Sequence, residues 1–235
     1  MQMKTSDFLP MLAAVAALTL AGCGGGGGGS STPPPQNLSS APVAAALNSY
    51  YQANHGFDLS ASSGGNTFTL QYGFTLNGGT TTFNGVNADS ANVSVTLSEN
   101  GTLVATAIDS IFFSINPFVP IGTVRSDGAE YGIITTWNAL PSTLSVGQSG
   151  PLFSETVYHD STEAVIDGTE AVTYSVNAVN STSLQFCENV AITANANSDG
   201  LTSSTSSVCY IVNASGSVTG ITYTITVNGT TLQFQ

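Results

Sequence analysis

The chain has 235 residues, 14 of them acidic against one lysine and one arginine, for a formal charge of −12, yet only 7% of its residues are charged and its mean hydropathy is +0.19. Hydrophobic residues make up 41%, which supplies a core and excludes disorder of the whole chain. Lys4 and Arg125 are too few to neutralise a phosphate backbone, which excludes nucleic acid as a partner, and too few to form a basic patch for anionic lipid headgroups.

Phe8 to Leu20 is an apolar run broken only by Pro10 and Thr19. It has the length of a signal-peptide h-region and falls short of the roughly 20 apolar residues of a transmembrane helix. Leu20-Ala21-Gly22-Cys23 follows, and this tetrapeptide resembles the lipobox of bacterial lipoproteins. The resemblance implies a signal peptide over residues 1–22, cleavage before Cys23, and fatty acylation of Cys23 on its thiol and on the new amino terminus. The membrane is then a partner through the anchor on Cys23. Gly24, where an Asp would signal retention in the inner membrane, implies the outer membrane as destination. Losing residues 1–22 removes Lys4 and Asp7 together, so the charge stays at −12 and Arg125 is left as the one permanent side-chain cation.

Residues 23–40 read as the lipidated Cys and a tether: six glycines from Gly24 to Gly29, then Ser30-Ser31-Thr32-Pro33-Pro34-Pro35. Such a stretch has nothing to bury against its ordering entropy. Fully extended, residues 24–40 reach at most about 55–60 Å. The body is expected over 41–235, with 138–150, around Pro141, a conceivable point of sub-division. Ser40 as N-cap, Pro42 in the first turn, and Val43, Ala46, Leu47 and Tyr50 at helical spacing predict one short helix over about 41–53.

The period then changes to two. Phe68, Leu70, Tyr72, Phe74 and Leu76 share one face of a strand, with Thr and Gln between them. Val93 to Leu97 and Leu103 to Ile108 flank Glu99-Asn100-Gly101, a hairpin signal. Tyr131 to Trp137 and Val172 to Ala178 alternate again, and Ile221 to Val227 leads through Asn228-Gly229 into Leu232 and Phe234. About eleven or twelve short strands joined by local turns predict an all-β body. The fold is an antiparallel meander forming a strongly curved sheet, barrel-like or a two-sheet sandwich, with the meander preferred.

With Cys23 assigned to lipid and the compartment oxidising, Cys187 and Cys209 on neighbouring strands are expected to form a disulfide at the base of the Ser/Thr/Asn-rich loop 195–207. Asn195, Asn197 and Asp199, with Gly200, carry the alternating oxygens of a calcium loop. Ser206 stands where the bidentate Glu belongs, so no metal site is assigned and no cofactor is expected. Glu155, Asp160, Glu163, Asp167 and Glu170 place five carboxylates within sixteen residues and read as a solvated edge or turn. Tyr50-Tyr51, Phe112-Phe113 and Phe118 could form a glycan-stacking platform but read as core, since alternation buries one member of each strand pair, and Phe112-Phe113 with Asn116-Pro117-Phe118-Val119-Pro120 is the best candidate for an exposed apolar loop.

Histidine is scarce. His159-Asp160 offers a base and orienter that alternation would point to opposite faces, His55 has no partner in sequence, and Gly147-Gln148-Ser149-Gly150 lacks the full nucleophile-elbow spacing. No catalytic residue is assigned. Loose likeness of segments such as Asn116 to Gly122 and Cys209 to Gly216 to uncharacterised proteobacterial lipoproteins implies no activity. The expectation is a non-enzymatic structural, adhesive or partner-binding module with a protein or glycan partner. The alternative is a β module whose curved sheet cups a lipid or glycan, and a hydrolase stands third. A large apolar concavity between the sheets would favour the second over the first, and a filled, side-chain-packed interior would exclude it.

Overall fold

The structure is a computed structural model that describes residues 37–196, 198, 201–227 and 230–235. The signal and tether expectations, and Cys23 itself, lie outside the described residues.

A short strand β1 (Ser40–Ala41) leads into helix α1 (Val43–Tyr50), and the chain then runs as antiparallel strands. These are β2 (His55–Ser63), β3 (Asn66–Leu76), β4 (Thr81–Phe83), β5 (Val86–Glu99), β6 (Thr102–Ile115), β7 (Phe118–Arg125), β8 (Tyr131–Trp137), β9 (Leu144–Ser145), β10 (Ser149–Tyr158), β11 (Ile166–Ala178), β12 (Ser183–Ala194), β13 (Ser204–Asn213), β14 (Val218–Val227) and β15 (Thr230–Phe234). Twelve of them form one sheet in the order β15-β14-β13-β12-β11-β10-β8-β7-β6-β5-β3-β2. The sheet curls until its ends meet. The amide of Ser60 donates to the carbonyl of Gln235 at 3.1 Å, and the amide of Gln235 returns a bond to Ser60 at 3.2 Å. The body is therefore a nearly closed meander barrel, not a two-sheet sandwich.

Strand parity explains which residues face inward. Along β3, Leu70, Tyr72 and Phe74 are buried while Thr69, Gln71 and Thr75 face solvent. Threonine and serine dominate the outer face, where β-branched side chains suit a pleated surface. The β5–β6 hairpin turns at Asn100-Gly101, both with positive φ (50° and 78°), which an Asn-Gly turn accepts at little steric cost. Residues 138–148 connect β8 to β10, and these two strands pair directly, with Phe153 opposite Trp137, so the conceivable point of sub-division falls between neighbours of one sheet.

Width decides what else the fold must contain. An eight-stranded barrel is just wide enough for its own side chains to fill, and diameter grows with strand number. Twelve strands leave an axial gap, and α1 fills one end of it. Eight residues are too few for a helix to stand alone, so its apolar stripe, Val43, Ala46, Leu47 and Tyr50, holds it in the lumen. Tyr51, which follows it, stacks on Phe118 of β7 at 3.9 Å, and its hydroxyl lies 3.2 Å from that of Tyr210 on β13, across the barrel. The segment before the helix is fastened to the same end. Ser40 and Ala41 pair with Ser145 and Leu144, and Leu38 donates to the Asn180 carbonyl at 2.8 Å. The helix is shorter than 41–53 because Ser40 is spent in β1. Pro42 occupies the N-cap and makes no side-chain capping bond.

Two sequence expectations are corrected here. Phe113 and Phe118 point into the lumen, and Pro120 lies inside the central strand β7 at a register shift where the missing amide is tolerated, so this is not an exposed loop. Phe112 lies on the outer face, but Phe83 of β4 covers it at 4.3 Å. The sulfurs of Cys187 and Cys209 are 2.17 Å apart, at disulfide distance. They face each other in mid-ladder, with pairing continuing on both sides, and not at the base of the loop.

This pair closes a loop of 22 residues in sequence separation, for which a cross-link contributes about 3 kcal/mol by restricting the unfolded chain. A Cys187→Ser, Cys209→Ser variant is expected to lose about that much in urea unfolding. Two alkylatable thiols in the native body, read by mass analysis without reductant, would contradict the bond.

Candidate functional site

Below the helix plug the barrel encloses a cavity of about 220 Å³ whose wall is mostly apolar. Its lining comes from α1's flank and from β3, β5–β8 and β10–β14, so it is a lumen and not a surface groove. At the end opposite the helix, Leu201 reaches in from the β12–β13 loop and packs where Gly168 leaves room for it.

Carboxylates project into this apolar space. On β10, Phe153, Glu155 and Val157 share the inward face. On β11 it is Glu170 with Val172, on β12 Glu188 with Phe186 and Val190, and on β6 Asp109 with Ile111 and Phe113. Glu155 and Glu170 are directly opposite each other on adjacent strands, where cross-strand Cβ atoms lie about 4.5–5.5 Å apart and like charges repel. Gly132 on β8 makes room for the first of them, since a Cβ there would overlap the Glu155 carboxylate.

Support for these groups is uneven. Thr123 donates to Glu155 at 2.7 Å, and the Tyr210 hydroxyl donates to Glu188 at 3.5 Å, a long contact. Asp109 and Glu170 receive no hydrogen bond from any described residue, and what surface they keep faces the cavity. Arg125 lies opposite Asp109 on β7, but its guanidinium is engaged by Asp127 at 2.7 Å and by Glu130 in a short ion pair.

Protonation follows from this. Burial pushes Asp109 up to about 8, with the charge of Glu130 adding and Arg125 opposing. Burial pushes Glu155 up to about 7 against the Thr123 bond, and Glu188 up to about 7 against the Tyr210 bond. Glu170 lies well above the carboxylate range, first through burial and then through the charges of Glu155, Asp109, Glu130 and Glu188. Burial also raises Glu130, with Arg125 opposing. The Arg125 bond holds Asp127 low, and Arg125 itself stays above its ordinary value because its acidic partners outweigh its burial.

The five carboxylates expected as a solvated edge are thus divided. Asp160 and Glu163 lie in an exposed turn, Asp167 is buried and 3.2 Å from His159, and Glu155 and Glu170 are lumenal. The signal was available: each lumenal acid stands two residues from an inward apolar residue. His159 meets Asp167 and not Asp160, whose carboxylate bonds Thr162 instead, and His55 stacks on Tyr50 at 4.1 Å. Among the described residues no hydroxyl hydrogen-bonds either ring. Asn195 uses its side-chain amide to cap the Ile166 carbonyl at 2.7 Å, while Asn197 and Asp199 lie outside the described residues. No group of three metal-ligating side chains is found among the described residues.

Fold and site together define a meander β-barrel with a helix-plugged, acid-lined lumen. No family model, no curated protein and no solved structure matches this chain.

The lumenal acids set a pH dependence. Each binds its proton more tightly folded than unfolded, so the stability this confers is complete below the ordinary values of 3.8 and 4.5 and is withdrawn as pH rises through about 7–8. The urea midpoint is therefore expected to fall from pH 5 to pH 8. Glu188→Gln removes one contribution, so its stability gain over the parent should be larger at pH 8 than at pH 4 by about 2–3 kcal/mol. A gain that does not change with pH would contradict the burial of an ionisable Glu188.

Proposed function

We propose that this protein is an outer-membrane lipoprotein, anchored through Cys23, whose barrel binds a small ligand in its lumen. The observation that carries the reading is the cavity itself: about 220 Å³ inside a folded barrel, walled mostly by apolar side chains, with the carboxyls of Asp109 and Glu170, which accept no hydrogen bond from a described residue, facing it. A purely structural or adhesive module has no use for such a space, because filling it would stabilise the fold. The separation anticipated from the sequence therefore favours the ligand-binding alternative over the structural one.

The described chain enters the body at the end that α1 plugs, beside the β8–β10 connection. The opposite end, bearing Leu201, Arg125 and Glu130, then serves as the entrance. Lipidation is tested by metabolic labelling with a fatty-acid analogue. Label is expected on the parent and not on Cys23→Ser, and label persisting on the variant would refute the anchor.

Lumenal binding has a built-in reporter. Trp137, the one tryptophan in the chain, lines the cavity 6.2 Å from Phe118 and 6.4 Å from Phe153. A small apolar molecule such as 2-phenylethanol is expected to change its fluorescence saturably. Ala107→Phe, which fills the lumen from β6, should abolish that change while the circular dichroism of the barrel persists. Saturable binding that survives Ala107→Phe would place the ligand elsewhere.

A further inference from the structure

The lumen holds more carboxyl groups than the chain has cations to pair with them. Only two permanent cations exist in the sequence, Lys4 and Arg125. Arg125 is committed to Asp127 and Glu130. Glu155 and Glu170 stand opposite each other on the inner face with no cation between them, and the carboxylates of Glu170 and Asp109 have no hydrogen-bond donor among the described residues. Among the described residues only the engaged Arg125 acts on one of these groups, Asp109, and two kinds of species from outside suit a mostly apolar space. One is the proton. The other is a cation that brings its own apolar body.

The rest of the wall favours the second. Aromatic rings stand around the same cavity from several directions: Tyr51 and Phe118 stacked at the helix end, Trp137 and Phe153 on β8 and β10, and Tyr210 and Tyr223 on β13 and β14. Ring faces attract an ammonium group more strongly when it is desolvated. A bare metal ion would require three or more ligating side chains in one place, which the described lumen does not offer, and its hydration shell would sit against apolar walls. An anion would meet four carboxyls and, among the described residues, no unengaged permanent cation.

Building on the lumenal binding proposed above, we infer that the ligand is a small organic ammonium ion, an apolar or aromatic body bearing one protonated amine, whose charge is met by the facing pair Glu155 and Glu170 while the aromatic wall surrounds its body. Arg125 and Glu130, paired at the entrance end, then form the polar rim past which the cation enters. Binding exchanges lumenal protons for the ammonium charge, so no isolated carboxylate has to remain ionised in the filled barrel.

Three molecules with closely similar bodies test this on the folded protein: 2-phenylethylamine, 2-phenylethanol and 3-phenylpropionate, titrated at about pH 8, where the amine is still protonated. Trp137 fluorescence and the shift of the thermal midpoint are the readouts. The amine is expected to bind at least about tenfold more tightly than the alcohol, with no saturable response to the carboxylate. The double variant Glu155→Gln, Glu170→Gln, which neutralises the facing pair, should bring amine and alcohol to parity while raising stability at this pH, so loss of preference is not loss of fold. Asp58→Asn, the same charge change on the outer face, should keep the preference. If amine and alcohol bind the parent equally, the lumenal acids are balanced by protons and the cation assignment is overturned, although lumenal binding stands. If the Glu155→Gln, Glu170→Gln variant keeps the preference, or Asp58→Asn loses it, the assignment of that charge to the lumen fails. If none of the three gives a saturable response, the lumenal reading itself fails.

Discussion

A ring of twelve antiparallel strands is too wide for its own inward side chains to fill, and the remaining features of this protein follow from that constraint. A sheet of period-two strands joined by tight turns has one apolar face to bury, and closing on itself buries that face without a second layer. Among the described residues closure rests on a pair of bonds between Ser60 and Gln235. The width it creates has to be occupied. The short helix α1 and the tyrosines at its end do so on one side, and the other side keeps a cavity. In a narrower barrel the helix would have nowhere to sit, and the inward carboxylates would have no space to share.

The charge balance acquires a different meaning in that light. From composition, −12 with almost no cations suggests a surface that repels its surroundings. In the fold, Asp109, Glu155, Glu170 and Glu188 are removed from the surface and held where burial disfavours their ionisation. Such an arrangement costs stability at neutral pH, and an apolar side chain at any of these positions would cost less. Groups that weaken a fold and point together into a cavity are not explained by the barrel's own stability, and this is what the proposed ligand binding accounts for.

Much of the architecture was legible because its signals are local. Alternation of Phe68 to Leu76 with threonine, the Asn100-Gly101 turn and the apolar stripe Val43 to Tyr50 each act over a few residues, and each recurs in the structure where it was read. Closure of β2 on β15 was not legible, since it joins residues far apart in sequence. Nor was the end that the helix would plug. The lumenal acids were misread for a different reason. Glu155 and Glu170 were grouped with Asp160 and Glu163 by proximity in sequence, whereas parity along each strand separates them: Glu155 falls in step with Phe153 and Val157, and Glu170 with Val172. Pro120 misled similarly, because a proline within a strand signals an edge unless a bulge absorbs it, and the register shift between β6 and β7 does.

The claim on which the rest turns is that the barrel encloses ionisable carboxyls that its own residues do not neutralise. Following side-chain carboxyl resonances of the ligand-free protein by carbon NMR through a pH titration, with Glu155 and Glu188 assigned by substitution, tests it directly. Midpoints near 7 for both, as burial imposes, are the expected result. Titration of both at the ordinary carboxylate value of about 4.3 would mean that the lumen is open to water, and would remove the basis for an enclosed, cation-seeking site.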